Sequence, residues 1–393
     1  MIEKYYNGVI EQVAGGIGNV EHNSILVRYS NDFSIWDLES VNHYKDQTDI
    51  FFTCHEFSYN KIAEAYEPYL GLIRQMFHKY CSGTLEEFME ECDVYKLQRP
   101  VFESYFEKGF CERTEQILID EVEYEQERMH SSIVTMLQKL SEICPIVIVL
   151  NRFQLASKST MQLTNRLLQT KNKNIGIVLG VNDVQSIPEF AHEEWDAICE
   201  SMDDRNMVYH IGNAGRNMEP DVMDYYSDYE SDDGYRKLNN LVYFLDFDQA
   251  DHHLSKIERR IKFDNFTISE KKHYQLLLLQ IMVSVLQRDI AKALESCEDL
   301  EKLQDQEKEG AFYYNFWMAT SYMYLGKLEE AMIYVQKAKE CGEALGDDFL
   351  VFRAELLKAQ NQMSGWCNIF FCAQDIEISD KLICLLYTSD AAD

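Results

Sequence analysis

Apolar and polar positions follow two different patterns along this chain. Up to about residue 211, short β-rich apolar runs alternate with longer amphipathic stretches. The predicted strands are Ser24–Tyr29, Asp49–Cys54, Pro145–Leu150, Asn174–Gly180 and Met207–Ile211. The third run is apolar throughout, as expected of a parallel strand buried on both faces. Strands that alternate with helices predict an α/β fold with a parallel sheet.

Between these strands, apolar residues recur at helical spacing. The predicted helices are Ser34–Tyr44, Lys61–Tyr80, Leu85–Cys92, Glu115–Ile143 and Thr160–Leu168. The first domain is predicted to cover residues 24–212, after a polar lead-in of residues 1–23. Gly15–Gly18 precedes the first strand, so we interpret it as a flexible turn and not as a phosphate loop.

An acidic run, EPDVMDYYSDYESDD at residues 219–233, contains no basic residue and no helical periodicity. This composition predicts a solvated linker over residues 213–234. The alternative is a docking segment for a basic partner.

From residue 235 the pattern is helical, and FYYNFWMATSYMYLGKLEEAMIYVQKAKECG is its most specific part. Small side chains at Ala319, Ala331 and Ala338 would let two helices approach closely, and Gly326 would form the turn between them. With aromatic Tyr322 on the first helix, the segment resembles a tetratricopeptide repeat.

The same spacing recurs upstream. Ala331 aligns with Ala293 at an offset of 331 − 293 = 38 residues, and Ala293 aligns with Ala250 at 293 − 250 = 43 residues. We therefore predict tetratricopeptide-like helical repeats over residues 235–383, the last of them incomplete. Such stacks offer a groove that binds a protein, a peptide or a small ligand. Candidate groove residues are Tyr313, Tyr314, Phe316, Trp317 and Tyr324.

Charge and cysteine usage narrow the function further. A formal charge of -30 repels nucleic-acid phosphates and anionic lipid, so this chain is predicted to bind neither nucleic acid nor membrane. The cysteines form no CxxC pair, which predicts reduced thiols and no metal site. A cytoplasmic location is the expectation.

The segment PIVIVLNRFQLASKSTMQLTNRLL resembles the Walker B strand and following helix of the STAND class of signal-transduction NTPases. Ala156, Ser159 and Thr160 match the pattern of that class. The next strand, NIGIVLGVND, resembles its sensor strand, with the sensor position near Asn182. The resemblance implies a P-loop-NTPase-like sheet over residues 24–211. A generic α/β domain unrelated to NTPases is the alternative.

The catalytic positions of that class have changed here. Phosphate binding needs loop glycines and a lysine, and the metal needs carboxylates. The degenerate phosphate-loop positions are Ser30, Asn31, Asp32, Phe33 and Ser34. The Walker B acids are replaced by Asn151 and Arg152. We therefore predict a pseudo-NTPase with no catalytic residue, no nucleotide cofactor and no metal.

A degenerate STAND-like domain followed by repeats resembles bacterial regulators, among them tetratricopeptide-containing diguanylate cyclases. The predicted function is a non-catalytic sensory and scaffold fragment that binds a protein or ligand, with self-association possible. The last ten residues, CLLYTSDAAD, resemble translated sequencing adapter, so residues 384–393 are excluded and an output domain is expected to be missing.

Three other functions stay open. One is an ATP-binding switch in which Arg28 or Lys45 replaces the lost lysine. Another is a transcriptional regulator whose DNA-binding helix-turn-helix is missing, and the third is a plain adaptor.

Overall fold

A computed structural model describes most of the chain. The described residues are 2–18, 23–29, 35–45, 47, 49–58, 61–111, 122–170, 172–182, 187, 189–203, 207–211, 231–263 and 267–368. Their contacts divide the chain into two compact units, residues 1–253 and residues 254–393. An α/β unit followed by helices agrees with the predicted fold class.

The first unit contains a parallel sheet of five strands in the described residues. They are β1 Ser24–Tyr29, β2 Phe51–Glu56, β3 Ile146–Asn151, β4 Ile175–Asn182 and β5 Val208–Ile211. Their order is β2-β3-β4-β1-β5, which places the first strand near the middle. All positions of β3 and β4 are buried, because packed helices cover both faces. The five predicted strands are confirmed, and the second, third and fourth end later than predicted.

The helices of this unit lie before, between and after the strands. They are α1 Ile2–Gly15, α2 Glu39–Lys45, α3 Tyr69–Tyr80, α4 Leu85–Glu91, α5 Arg99–Lys108, α6 Val122–Ile143, α7 Lys158–Gln169, α8 His192–Asp203 and α9 Asp232–Tyr243. The third begins later than the predicted helix at Lys61–Tyr80. Pro68 precedes its first residue, and a proline disfavours helical backbone in the residue before it.

The predicted lead-in is wrong, because α1 is a helix that packs on the sheet. Tyr6, Ile10 and Val13 are completely buried, at the spacing of one helix face. A Cβ on Gly176 of β4 would lie 2.7 Å from Val13 Cγ1. The glycines of β4 therefore let α1 pack closely on this strand. The sequence analysis missed the helix because polar residues flank its apolar positions.

Helix α9 belongs to the first unit, so the boundary at residue 235 is corrected to residue 253. Asn240 Oδ1 accepts a hydrogen bond from the Cys111 backbone N–H at 2.8 Å. The Phe244 ring packs edge-on against Tyr66, with the ring centroids 6.0 Å apart. Ser231 caps α9, so the end of the predicted acidic linker is helical, and residues 212–230 lie outside the described residues.

In the described residues, the second unit contains residues 254–263 of α10, Phe247–Phe263, and five further helices. Those five are α11 Glu270–Leu286, α12 Ile290–Glu301, α13 Gly310–Tyr324, α14 Leu328–Leu345 and α15 Asp348–Asn368. From α11 onward each helix contacts the next, and α13 also contacts α11 and α15. Packing of both neighbouring and alternate helices is compatible with stacked helical hairpins. Residues 369–383 of the predicted repeats, and the tail 384–393, lie outside the described residues.

Candidate functional site

The carboxyl ends of the parallel strands bring four polar residues to one edge of the sheet. Tyr29 pairs in register with Asn182, and Glu56 pairs with Asn151. In open α/β sheets, ligands bind beside this edge. The edge is therefore the candidate site, and it contains Asn151, one of the two predicted Walker B positions.

A buried hydrogen bond connects β1 and β3 across β4. The Tyr29 hydroxyl donates to Asn151 Oδ1 at 2.9 Å. Gly180 of β4 lies beneath this bond, since a Cβ there would be 2.6 Å from Asn151 Oδ1 and 2.3 Å from the Tyr6 hydroxyl. Burial raises the pKa of the Tyr6 phenol far above its usual range. The cluster is neutral and closed to solvent.

Asn151 also leaves one polar atom unsatisfied. Its Nδ2 is buried and has no hydrogen-bond partner among the residues that the structure describes. An amide in this position supplies no negative charge for a magnesium ion. The chemistry at the end of β3 is therefore unsuited to holding the metal of an NTPase.

Arg152, the other position predicted to correspond to Walker B, forms an ion pair across the edge. Arg152 Nη1 lies 2.9 Å from Glu56 Oε1, and the side chains are 18% and 10% exposed. The second oxygen, Glu56 Oε2, accepts a hydrogen bond from the Ile35 backbone N–H at 3.1 Å. The Arg152 guanidinium therefore neutralises the Glu56 carboxylate, which belongs to the residue paired with Asn151 of β3.

Asn182, the predicted sensor residue, forms a hydrogen bond through its backbone. The Asn182 backbone N–H donates to Gln154 Oε1 at 3.2 Å, and the Asn182 side chain is buried. Gln154 belongs to a short 3-10 helix, Phe153–Leu155, that follows β3. The contact joins the ends of β3 and β4.

Neither cation proposed to replace the lost lysine is directed at that polar cluster. Arg28 Nη2 lies 3.1 Å from Cys199 Sγ of α8, and the guanidinium is 5.7 Å from the Trp195 ring centroid. Lys45 Nζ lies 5.1 Å from the Trp36 ring centroid. The degenerate phosphate-loop positions 30–34 lie outside the described residues.

The residues that match the STAND pattern form a hydrogen-bonded cluster at the start of α7. Ser157 Oγ accepts from the Thr160 N–H as a helix cap and donates to the Glu64 carbonyl at 2.9 Å. Thr160 Oγ1 donates to the Glu67 carbonyl at 3.2 Å. The Tyr66 N–H donates to Ser159 Oγ at 3.3 Å. The cluster fixes the segment before α3.

Asp246 connects the starts of two helices, and the sequence analysis missed it. Its carboxylate accepts from the Ser159 N–H of α7 at 2.8 Å and from the Gln249 N–H of α10 at 3.3 Å. Backbone N–H groups at helix starts favour a negative charge. Burial nevertheless raises the pKa of this carboxyl group.

Two more acidic side chains lie close together beside α9. Burial, and then the nearby Glu67, raise the pKa of Glu64 to about 7. Asn240 Nδ2 donates to Glu64 Oε2 at 3.2 Å. His55 Nε2 lies 3.5 Å from Glu67 Oε1, but burial lowers the pKa of His55 to about 4. At neutral pH the His55–Glu67 contact therefore lacks a positive charge.

The predicted repeat residues comprise buried alanines, a tyrosine that stacks on another ring, and a glycine in a turn. Gly326 has φ 71° after α13, a backbone conformation that favours glycine. Tyr322 is half-buried and stacks on Tyr334. The completely buried alanines are Ala250, Ala293, Ala319, Ala331 and Ala338. Ala250 lies on α10, in the part of that helix that belongs to the first compact unit.

The five candidate groove aromatics divide into two groups. Phe316 and Trp317 are buried, whereas Tyr313, Tyr314 and Tyr324 are half-buried. Arginines lie over two of these rings: Arg353 Cζ is 4.5 Å from the Phe316 centroid, and Arg288 Cζ is 4.2 Å from that of Tyr324. Among the candidate groove residues, the tyrosines, and not the buried rings, are thus accessible to a ligand.

The described residues contain no group of three or more His, Cys, Asp or Glu side chains placed to hold a metal ion. No helix in the described part of the chain has the length and apolarity needed to cross a membrane. Comparisons with protein-family models, with curated proteins and with solved structures found no significant match to this chain.

Proposed function

We propose that this chain is the non-catalytic sensory and scaffold portion of a bacterial signal-transduction regulator. The α/β unit is a pseudo-NTPase, and the helical unit binds a protein, peptide or ligand through tetratricopeptide-like repeats. An output domain, for which a diguanylate cyclase is the leading candidate, would lie in a continuation of the gene product. The protein would act in the cytoplasm.

The observation that carries this proposal is the ion pair between Arg152 and Glu56 at 2.9 Å. Phosphoryl transfer depends on carboxylates that hold magnesium near the γ-phosphate. Here the carboxylate beside β3 is neutralised by Arg152 and hydrogen-bonded to the Ile35 N–H. The parallel sheet of five strands in the described residues is compatible with the P-loop-NTPase-like sheet that the resemblance implies.

The packing of the second unit supports a binding role. Helix α13 contacts both α11 and α15, and small side chains are buried between neighbouring helices. Leu278, Met282 and Leu286 follow each other at one-turn spacing on α11 and are half-exposed. With Tyr313 and Tyr324 of α13, they give the helical unit half-exposed apolar and aromatic side chains suited to a partner.

The alternative is an ATP-binding switch with an unconventional phosphate loop. Calorimetric titration of the full chain with ATP, with and without magnesium, separates the two. The pseudo-NTPase proposal expects no saturable heat in either case. Saturable, magnesium-dependent binding that the Asn151→Ala variant abolishes would establish the switch instead.

The binding role has its own test. Hydrogen exchange and limited proteolysis of this chain, with and without a candidate partner, should show that the partner protects α11 and α13. Tyr324→Ala should weaken binding of that partner. A partner that protects only the α/β unit would contradict a role for the repeats. A regulator that binds DNA through a further domain stays open, and the intact gene past residue 383 would distinguish the output domains.

A further inference from the structure

A groove of about 530 Å³ lies on the surface formed by α3 and α5. The described residues that line it are Gly71, Arg74, Gln75, His78 and Lys79 of α3 and Tyr105 of α5. None of them is acidic, although the chain has 67 acidic residues and only 37 basic ones. The volume falls in the range of about 300–1,000 Å³ that is typical of small-molecule sites.

The cations of this groove are not neutralised by the chain itself. Among the described residues, no carboxylate forms an ion pair with Arg74, His78 or Lys79. Arg74 Nη2 donates to the Glu107 backbone carbonyl at 3.1 Å. Lys79 Nζ lies over an aromatic ring, 5.6 Å from the Phe51 centroid. Positive charge in the groove is therefore available to an anionic ligand.

Arg74 is held in place at the C-terminal end of α5. Backbone carbonyls at a helix end favour a cation, and the bond to the Glu107 carbonyl uses this preference. Gly109 follows α5 with φ 80°, and a Cβ there would lie 3.3 Å from Arg74 Nη1. A guanidinium has further N–H donors, arranged as a planar fork that binds a carboxylate through two parallel hydrogen bonds. The fixed Arg74 therefore suits a carboxylate.

A second anchor point lies about one turn further along α3. His78 and Lys79 are both exposed there, and Lys79 is separated from Arg74 by five positions. At about 1.5 Å per residue, this separation is roughly 7.5 Å along the helix axis. Tyr105 contributes an aromatic wall from α5. Two carboxylates joined by an apolar spacer fit this arrangement better than a single compact anion does.

We propose that the groove formed by α3 and α5 binds a small dicarboxylate, with one carboxylate at Arg74 and the other at His78 and Lys79. None of the lining residues belongs to the sheet edge or to the repeats, so the site does not depend on the proposed function. The formal charge of -30 repels a polyanion at long range, which favours a small ligand over an acidic protein segment.

Calorimetric titration of the full chain with adipate at about 0.15 M salt tests the proposal. Saturable binding of one adipate per chain is expected. Hexanoate, which has the same chain length and lacks the second carboxylate, should bind about fivefold more weakly. Lys79→Gln should reduce this preference for adipate to about twofold or less. The matched control is Lys96→Gln, the same change at an exposed lysine outside the groove lining, which should retain the preference.

A second variant fills the groove without changing its charge. A Cβ at Gly71 would have no atom within 4 Å, and leucine favours a helix over glycine. Gly71→Leu should therefore abolish adipate binding, while thermal unfolding stays cooperative with an equal or higher midpoint. Gly71→Ala adds only a methyl group in the same open space and should retain binding.

Absence of saturable adipate binding would overturn the proposal, as would parental affinity in Gly71→Leu or an equal loss of preference in Lys79→Gln and Lys96→Gln. Equal competition by ATP would also overturn it, because the groove would then be a nucleotide site. Failure of the proposed function gives a different result, namely magnesium-dependent ATP binding that Asn151→Ala abolishes.

Discussion

Tyr29 and Asn151, the last residues of β1 and β3, are hydrogen-bonded at 2.9 Å across the intervening strand β4. The bond occupies the edge at which a nucleotide-binding sheet would place its phosphates and metal. The contact itself is neutral and buried. The edge is thereby part of the folded core, and its residues can be tested as core residues.

Removing the Tyr29 hydroxyl should destabilise the first unit. Tyr29→Phe leaves Asn151 Oδ1 buried without this donor, and we expect a loss of about 1–3 kcal/mol in the free energy of unfolding. Urea denaturation followed by circular dichroism measures it. Tyr5→Phe, at a side chain 50% exposed on α1, is the control and should change stability by less than about 0.5 kcal/mol. Equal effects would mean that the hydrogen bond contributes nothing to stability.

Gly180→Ala should disrupt the packing of α1 on β4. The added methyl would lie 2.3 Å from the Tyr6 hydroxyl, so one of the two elements must move, at a cost of about 1–3 kcal/mol. The control is Gly8→Ala within α1, where an added Cβ has open space and alanine favours the helix. Thermal melts should show a lower midpoint for the first variant and an equal or higher one for the second. An unchanged midpoint in Gly180→Ala would contradict the position of α1.

Asp246→Ala should destabilise the starts of α7 and α10 together. Both lose the acceptor for a backbone N–H, and we expect about 1–3 kcal/mol. Hydrogen exchange should report faster exchange at both Ser159 and Gln249. Asp305→Ala, at an exposed aspartate in the second unit, should leave both amides unchanged. Acceleration of only one amide would show that the carboxylate does not serve both helices.

The stability of the chain should depend on pH through Glu64. Its pKa is raised from 4.5 to about 7, so the folded chain retains a proton that the unfolded chain releases in this window. The stabilisation is complete below pH 4.5 and is lost as the pH rises through about 7. The change is at most about 3 kcal/mol, and less because the side chain is partly exposed.

Urea denaturation at several pH values measures that dependence. Glu64→Gln keeps an acceptor for Asn240 but does not titrate, so its stability should fall less between pH 4.5 and 7 than that of the parent. Glu90→Gln, at an exposed residue of α4, should retain the parental slope. A Glu64→Gln slope equal to the parent's would assign the pH dependence to another group.

Small side chains in α14 should be required for helix packing in the second unit. Ala338→Val enlarges a completely buried residue and should cost about 1–3 kcal/mol in stability. Ala344→Val makes the same change at an exposed position of the same helix and should cost only the difference in helix propensity, less than about 1 kcal/mol. Similar losses in the two variants would contradict close packing at Ala338.

The sequence by itself determined the elements whose patterns are local. Apolar β-rich runs gave the five strands, and the spacing of Ala319, Gly326 and Ala331 gave two helices with a turn between them. The presence of Asn151 and Arg152, and not of acidic residues, at the end of the third apolar run was also visible directly. These features depend on neighbours within a few residues, where side-chain periodicity and backbone preference act.

Only the tertiary structure decided how these elements are connected. Tyr29 and Asn151 are separated by 122 residues, and Ser159 and Asp246 by 87 residues, so no local pattern pairs them. The burial of α1 depends on glycines in β4, and the place of α9 depends on contacts with Cys111 and Phe102. Contacts between distant segments arise from packing and hydrogen-bond satisfaction, which become defined only when the chain is folded.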